Sequence, residues 1–160
     1  MHQITIFTAR YLVFLMPLLP LYIWLRQDGP QKKRFILLVV VSAVVALVLA
    51  KVSSHFVPSP RPFIADHVIP YFAGTRDNGF PSDHTLLAGV IAFVTLVYNR
   101  KLGVVALVLA VLVGWARVVS GVHHAMDIAG SLAISALSVF LTAYVVRKLA
   151  SRSSPASKLP

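Results

Sequence analysis

Two observations predict an all-α, membrane-embedded helical bundle of about five transmembrane helices. The 160-residue chain is 58% hydrophobic and 12% charged, with a mean hydropathy of +0.80; an ordinary soluble domain carries about 25% charged residues. Its apolar residues also fall into five long runs separated by short polar or basic connections.

The runs are residues 4–25, 35–52, 85–98, 102–119 and 128–146. The first contains Pro17 and Pro20, which should kink it. It has no basic stretch ahead of it and is followed by Arg26 rather than a small-residue cleavage site, so it reads as a span and not a signal peptide. The third is short of the roughly 17–20 residues a span needs, unless it starts at Ser82. Residues 53–83 differ in kind, holding Pro58, Pro60, Pro62, Pro70 and Pro81 with Gly74 and Gly79. That composition predicts an ordered loop or partly helical cap. Residues 150–160 form a polar tail. The whole chain, 1–160, reads as one domain with its core at about 35–147. With no cysteine, a disulfide framework and a thiolate metal site are both excluded.

The formal net charge of +10 would suggest nucleic acid in a soluble protein. Here the cations sit between apolar runs, so they read as orientation signals, with membrane lipids rather than nucleic acid as neighbours. With five spans, one side holds Arg26, Lys32, Lys33, Arg34, Arg100, Lys101, Arg147, Lys148, Arg152 and Lys158, and the other Arg10, Lys51, Arg61, Arg76 and Arg117. The richer side is expected in the cytoplasm, together with the C-terminus. The Pro-rich loop and the turn around Gly121 then share the extracytoplasmic face of the plasma (inner) membrane.

Three segments gather on that face: 51–63 (KVSSHFVPSPRPF), 79–85 (GFPSDHT) and 117–127 (RVVSGVHHAMD). His123 and Asp127 are four residues apart, a spacing that puts a carboxylate within reach of an imidazole when both are helical. Such an Asp sets the tautomer and stabilises the imidazolium, leaving the other nitrogen free to attack or accept a proton. Arg117 offers a planar fork of donors suited to phosphate oxygens. Ser82 is a natural helix N-cap; the helix start behind it favours an anion, and its hydroxyl is a further phosphate ligand. His84, in that first turn, is placed to protonate a leaving oxygen. Arg61 and Lys51 add positive charge. This set suits phosphoryl transfer, where stabilising charge on the transferred group is most of the task.

The same residues resemble the three signature motifs of the type-2 phosphatidic acid phosphatase superfamily. The family pattern is Lys, six residues, Arg-Pro; then Pro-Ser-Gly-His; then Ser-Arg, five residues, His, three residues, Asp. Here stand Arg61-Pro62, then Pro81-Ser82-Asp83-His84, then Arg117, five residues, His123, three residues, Asp127. The Gly-Phe-Pro-Ser-Asp-His-Thr wording resembles the undecaprenyl-diphosphatase branch. The resemblance covers about residues 51–146. It implies His123 as a nucleophile forming a phosphohistidine, Asp127 as its orienting group and His84 as the acid. It also implies Arg61, Arg117, Ser82 and Lys51 as phosphate ligands, a polyprenyl or glycerolipid phosphate as substrate, and no metal or other cofactor. The chain departs from the pattern in three places. Nine residues separate Lys51 from Arg61, so the family spacing falls on Ser54. Ala116 replaces Ser, and Asp83 replaces Gly. Lipid-phosphatase members often have six spans, against five counted here.

The expected activity is hydrolysis of undecaprenyl (polyprenyl) diphosphate to the monophosphate. The rival substrates are phosphatidate and phosphatidylglycerophosphate. From other classes come a small transporter and a non-catalytic lipid-binding protein; polar residues gathered at one end disfavour transport. A metal held by His84, His123 and Asp127 is disfavoured by the cations around them. His2, His55, His67 and His124 read as polar tips at the membrane interface. Arg76 and Asp77 read as solvated loop charges, and Tyr11, Trp24, Tyr98 and Tyr144 as interface anchors.

Overall fold

The computed structural model describes residues 2–152, so the polar tail from 153 onward lies outside the described residues. Among the described residues eight α-helices follow one another: α1 (His2–Arg10), α2 (Leu12–Leu15), α3 (Leu18–Leu25), α4 (Gly29–Phe56), α5 (Pro62–Ala65), α6 (Asp83–Tyr98), α7 (Arg100–Val119) and α8 (Ala125–Arg152). No strand occurs among the described residues.

Three of these helices, α4, α7 and α8, are long and apolar enough to cross a membrane, and the count is four when the bent pair α1 with α2–α3 is taken as one span. The difference from five is α6. Its 16 residues span about 24 Å at 1.5 Å per residue, against roughly 30 Å of hydrocarbon. The sharp bend of the first run, 51°, falls at Tyr11 and not at the prolines. Pro20 has no N–H to give the carbonyl of Met16. That carbonyl accepts instead from Leu19 N at 3.0 Å, where the helix interrupts at Met16–Pro17.

Short as it is, α6 is the centre of the bundle. Thr85, Leu86, Ala88, Gly89, Val90, Ile91, Ala92, Val94 and Thr95 are all buried along it. Small residues let its neighbours close in, as lipid-immersed helices require. A Cβ on Gly89 would lie 2.6 Å from Ser135 Oγ, and one on Gly114 of α7 would lie 2.3 Å from Ile128 of α8. Two hydroxyls of α8 also cross to α6. Ser131 Oγ donates to Ser82 O at 3.0 Å and Ser135 Oγ to Leu86 O at 2.9 Å. Such bonds contribute about 0.6 kcal/mol each in a membrane bundle; here they set the register between the helices that carry His84 and Asp127. Asn99 ends α6 and caps α7 by accepting from Leu102 N at 3.0 Å, which makes an antiparallel hairpin of the two.

The antiparallel order gives the bundle two chemically different ends. The C-terminal ends of α4 and α7 meet the N-terminal ends of α6 and α8, and this end carries Asp66, Asp77, Asp83 and Asp127. The opposite end holds the connections 26–34 and 99–101 and the last turns of α8. Of the five acids in the chain it has only Asp28.

Candidate active site

His123 lies in the turn between α7 and α8 and is 2% exposed. Gly121 makes that turn with φ +71°, a left-handed conformation that favours glycine. Asp127 sits in the first turn of α8 and is fully buried. The pair is therefore not on one helical face: α8 begins at Ala125, and Asp127 reaches back over the helix start. Its Oδ2 accepts from His124 N at 2.8 Å and faces His123 Nδ1 at 3.3 Å, while its Oδ1 accepts from Ser59 Oγ at 2.8 Å.

The other ring nitrogen meets two guanidiniums. Arg61 Nη1 and Arg117 Nη2 each stand 3.2 Å from His123 Nε2. Guanidinium nitrogens only donate, so Nε2 is the acceptor, Nδ1 carries the proton, and Asp127 accepts it. Burial, then the charges of Arg117 and Arg61, push the His123 pKa below its ordinary 6.5, although Asp127 pulls the other way. A lowered imidazole pKa means the folded protein binds fewer protons than the unfolded chain, so this contribution to stability is lost as pH falls below about 6.5. Titration of the substrate-free protein by ¹⁵N-histidine NMR is expected to find His123 neutral at pH 6.5; a charged ring there would contradict the arrangement.

The two arginines are held differently. Arg61 donates through Nε and Nη2 to Asp77 Oδ1, at 3.1 and 2.8 Å, and through Nη1 to Val122 O at 3.1 Å. Asp77 also accepts from Thr75 Oγ1 at 2.6 Å. That bond, joined by the hydrogen bond and charge of Arg61 and opposed by burial, keeps the Asp77 carboxyl below its ordinary range. Asp77 is the solvated loop charge the sequence suggested, its side chain 65% exposed, and it also anchors Arg61. Arg117 has no carboxylate partner among the described residues. Only 8% exposed, it reaches Ala9 O at 3.4 Å, lies 5.5 Å from the Phe72 ring centroid, and leaves its Nε without a partner. A buried cation without a counter-ion is costly, and an anionic ligand would remove that cost.

A cavity of about 430 Å³ opens onto these groups. Arg61, His84, Arg117 and His123 all line it, joined by Arg10, Tyr11, Phe14, Phe72 and Asp83. The structure thus brings together four of the residues singled out in the sequence, with Asp127 directly behind His123. Two others stand apart. Ser82 is fully buried, and its hydroxyl accepts from Thr85 Oγ1 at 3.2 Å. Lys51 lines a neighbouring cavity of about 360 Å³ with Ser54 and Asn78. Asp77 and Asp83 border both spaces. Among the described residues, no three of His, Cys, Asp and Glu converge as a metal-binding group.

The sequence reading missed Ser59, Asp77, Asn78, Arg10 and Phe72. Asn78 fastens the Pro-rich loop: its Oδ1 accepts from Ser59 N at 2.7 Å and its Nδ2 donates to Ser54 O and Val57 O at 2.8 and 3.0 Å. Gly79 closes the same contact, N to Ser59 O at 2.7 Å. Tyr11, expected as an interface anchor, lines the cavity, and Arg10 beside it stacks on Phe72 at 5.3 Å. His124 pairs with Asp66 at 3.1 Å, and His2 stacks on Tyr71 at 4.5 Å.

Known proteins resemble this chain in sequence and in fold. Residues 12–151 match the PAP2 superfamily model. The chain is 34% identical over 147 residues to the bacitracin transport permease protein BcrC of Bacillus licheniformis, covering 89% of this chain and 72% of that one. It is 31% identical over 139 residues to undecaprenyl-diphosphatase BcrC of Bacillus subtilis (strain 168), covering 87% and 72%. The crystal structure of Aquifex aeolicus LpxE has the same fold, with a TM-score of 0.71 over 89% of this chain and 86% of that one at 22% identity. The chain belongs to the PAP2 superfamily, as a multi-pass membrane protein and a phosphatase of lipid phosphates.

Proposed function

We propose that the protein hydrolyses a polyprenyl diphosphate, with undecaprenyl diphosphate as the preferred substrate, to the monophosphate through a phosphohistidine on His123. The observation behind this reading is the unpaired Arg117 with Arg61 beside it, both at 3.2 Å from an unprotonated His123 Nε2. The name of the Bacillus subtilis relative supports the substrate.

In the first step the Nε2 lone pair attacks the terminal phosphorus. The bond from that phosphorus to the bridging oxygen breaks, and the lipid monophosphate leaves on the oxygen, taking a proton from His84. Arg61 and Arg117 balance the charge on the equatorial oxygens, and Asp127 balances the positive ring. Water then attacks the phosphorus and gives its proton to His84, and the P–N bond breaks to restore the imidazole. The Ser82 hydroxyl and Lys51 lie outside the lining of this cavity, so their assigned phosphate contacts require a shift on binding.

The excess of Lys and Arg at the far end of the bundle favours that end, and the end of α8, in the cytoplasm, which puts the site on the extracytoplasmic face of the plasma membrane. We read α6 as a fifth crossing and residues 1–160 as one domain. The test is phosphate release by the purified protein in EDTA, from undecaprenyl diphosphate, phosphatidate and phosphatidylglycerophosphate in parallel. Fastest release from undecaprenyl diphosphate is expected. Faster release from either glycerolipid would move the assignment to that substrate, and release abolished by EDTA would overturn the metal-free mechanism.

A further inference from the structure

A second cavity, of about 390 Å³, lies at the end of the bundle opposite His123. Three helices build it. Gln31, Arg34 and Leu38 come from the start of α4, Tyr98 from the end of α6, and Val146 and Arg147 from the last turns of α8. Its lining joins polar Gln31, Arg34, Tyr98 and Arg147 to apolar Leu38 and Val146, a mixture that matches an amphipathic molecule. Tyr98 is half-buried against Phe35, with ring centroids 4.7 Å apart, and both Arg34 and Arg147 are close enough for their charges to act on its hydroxyl.

Neither arginine has an ion-pair partner among the described residues, and Asp28 is the only acid of this end. Other cations here are occupied with aromatic rings: Arg26 with Tyr22, Lys32 with Trp24, and Lys148 with Tyr144. Arg34 and Arg147 instead flank an opening. His84 and Tyr98 are at opposite ends of α6, about 21 Å apart along its axis, so a ligand here does not touch the reacting groups.

We propose that this cavity binds the phosphate group of an anionic phospholipid, gripped by Arg34 and Arg147 with Tyr98 and Gln31 as further donors, its chains lying along Leu38 and Val146. Basic pockets between membrane helices hold anionic headgroups in this manner, and the guanidinium fork suits phosphate oxygens. The site is separate from the catalytic cavity and does not depend on the identity of the substrate.

The experiment compares three full-length proteins in phosphatidylcholine nanodiscs with and without phosphatidylglycerol: wild type, the Arg34→Gln/Arg147→Gln double variant, and an Arg100→Gln/Lys101→Gln control. The control removes two cations from the same end but away from the cavity. Bound phosphatidylglycerol is counted by native mass spectrometry and the thermal midpoint is followed. Wild type and control are expected to retain the lipid and gain stability from it; the cavity variant should bind it roughly tenfold or more weakly. Inorganic phosphate is then titrated into the delipidated wild type and cavity variant. A shift of the wild type alone assigns the cavity to free phosphate as well, whereas no shift restricts it to the lipid-borne group. Equal lipid binding by wild type and cavity variant, or equal losses in the variant and the control, would overturn the proposal. Phosphate release from the lipid substrate is expected unchanged in both variants, which separates this outcome from any failure of the phosphatase reading.

Discussion

His123→Ala is expected to reduce lipid phosphate hydrolysis by roughly 10⁴–10⁶-fold, the scale on which removal of a covalent nucleophile acts. Among the described residues, the imidazole is the one group that meets both arginines and the buried carboxylate. Without it, water would have to attack the lipid directly, with only the charge of the two guanidiniums and the His84 imidazole to help. Because His123 is buried, its truncation also brings Arg61 and Arg117 face to face across a void. His123→Gln is the cleaner partner variant: an amide oxygen can still accept from the arginines but forms no phosphoenzyme. Both variants should lose turnover and the acid-labile phosphoprotein seen on rapid quench with radiolabelled substrate. Retention of about 1% or more of wild-type turnover by His123→Gln would remove His123 from the nucleophile's role.

Asp127→Asn is expected to lower kcat by roughly 10³-fold with KM little changed. Asp127 stands behind His123 and does not line the cavity, so substrate contacts persist. The substitution is isosteric. One amide oxygen can still accept from His124 N, as Oδ2 does now, while the NH₂ turns toward Ser59 Oγ, which can accept. What disappears is the negative charge opposite His123 Nδ1, and with it the stabilisation of the positively charged ring once Nε2 carries phosphate. Steady-state kinetics checks the split. A fall in kcat of less than about tenfold would mean that the arginines alone set the imidazole's reactivity.

The helical bundle and the cluster of polar groups around His123 were legible in the sequence for different reasons. Apolar runs announce helices because no other open structure satisfies its backbone in lipid. The spacing from Arg117 to His123 to Asp127 announces the site because those side chains are expensive to bury without a purpose. Legibility failed where a partner comes from a distant part of the chain. Asp77 read only as a loop charge because its partner, Arg61, is 16 residues away across a loop with no periodicity. Ser59 lies 68 residues from Asp127, and nothing local distinguishes it from Ser53 or Ser54. Lys51 is a different case. It has the chemistry of a phosphate ligand, and as one residue on α4 it lines the neighbouring cavity. Tyr11 and Arg10 enter the site only because the first run bends by 51° at that point, and no proline marks the bend.

A Cβ on Gly79 would stand 2.9 Å from Ser59 O and 3.1 Å from Asp127 Oδ2. The loop therefore rests directly on the Asp127 carboxylate, and the same few residues do two jobs. Asp77 anchors Arg61, and Asn78 holds the backbone of Ser59, whose hydroxyl binds Asp127. Arg61 and Asp127 therefore hang on one clasp: any displacement of this loop would slacken both together.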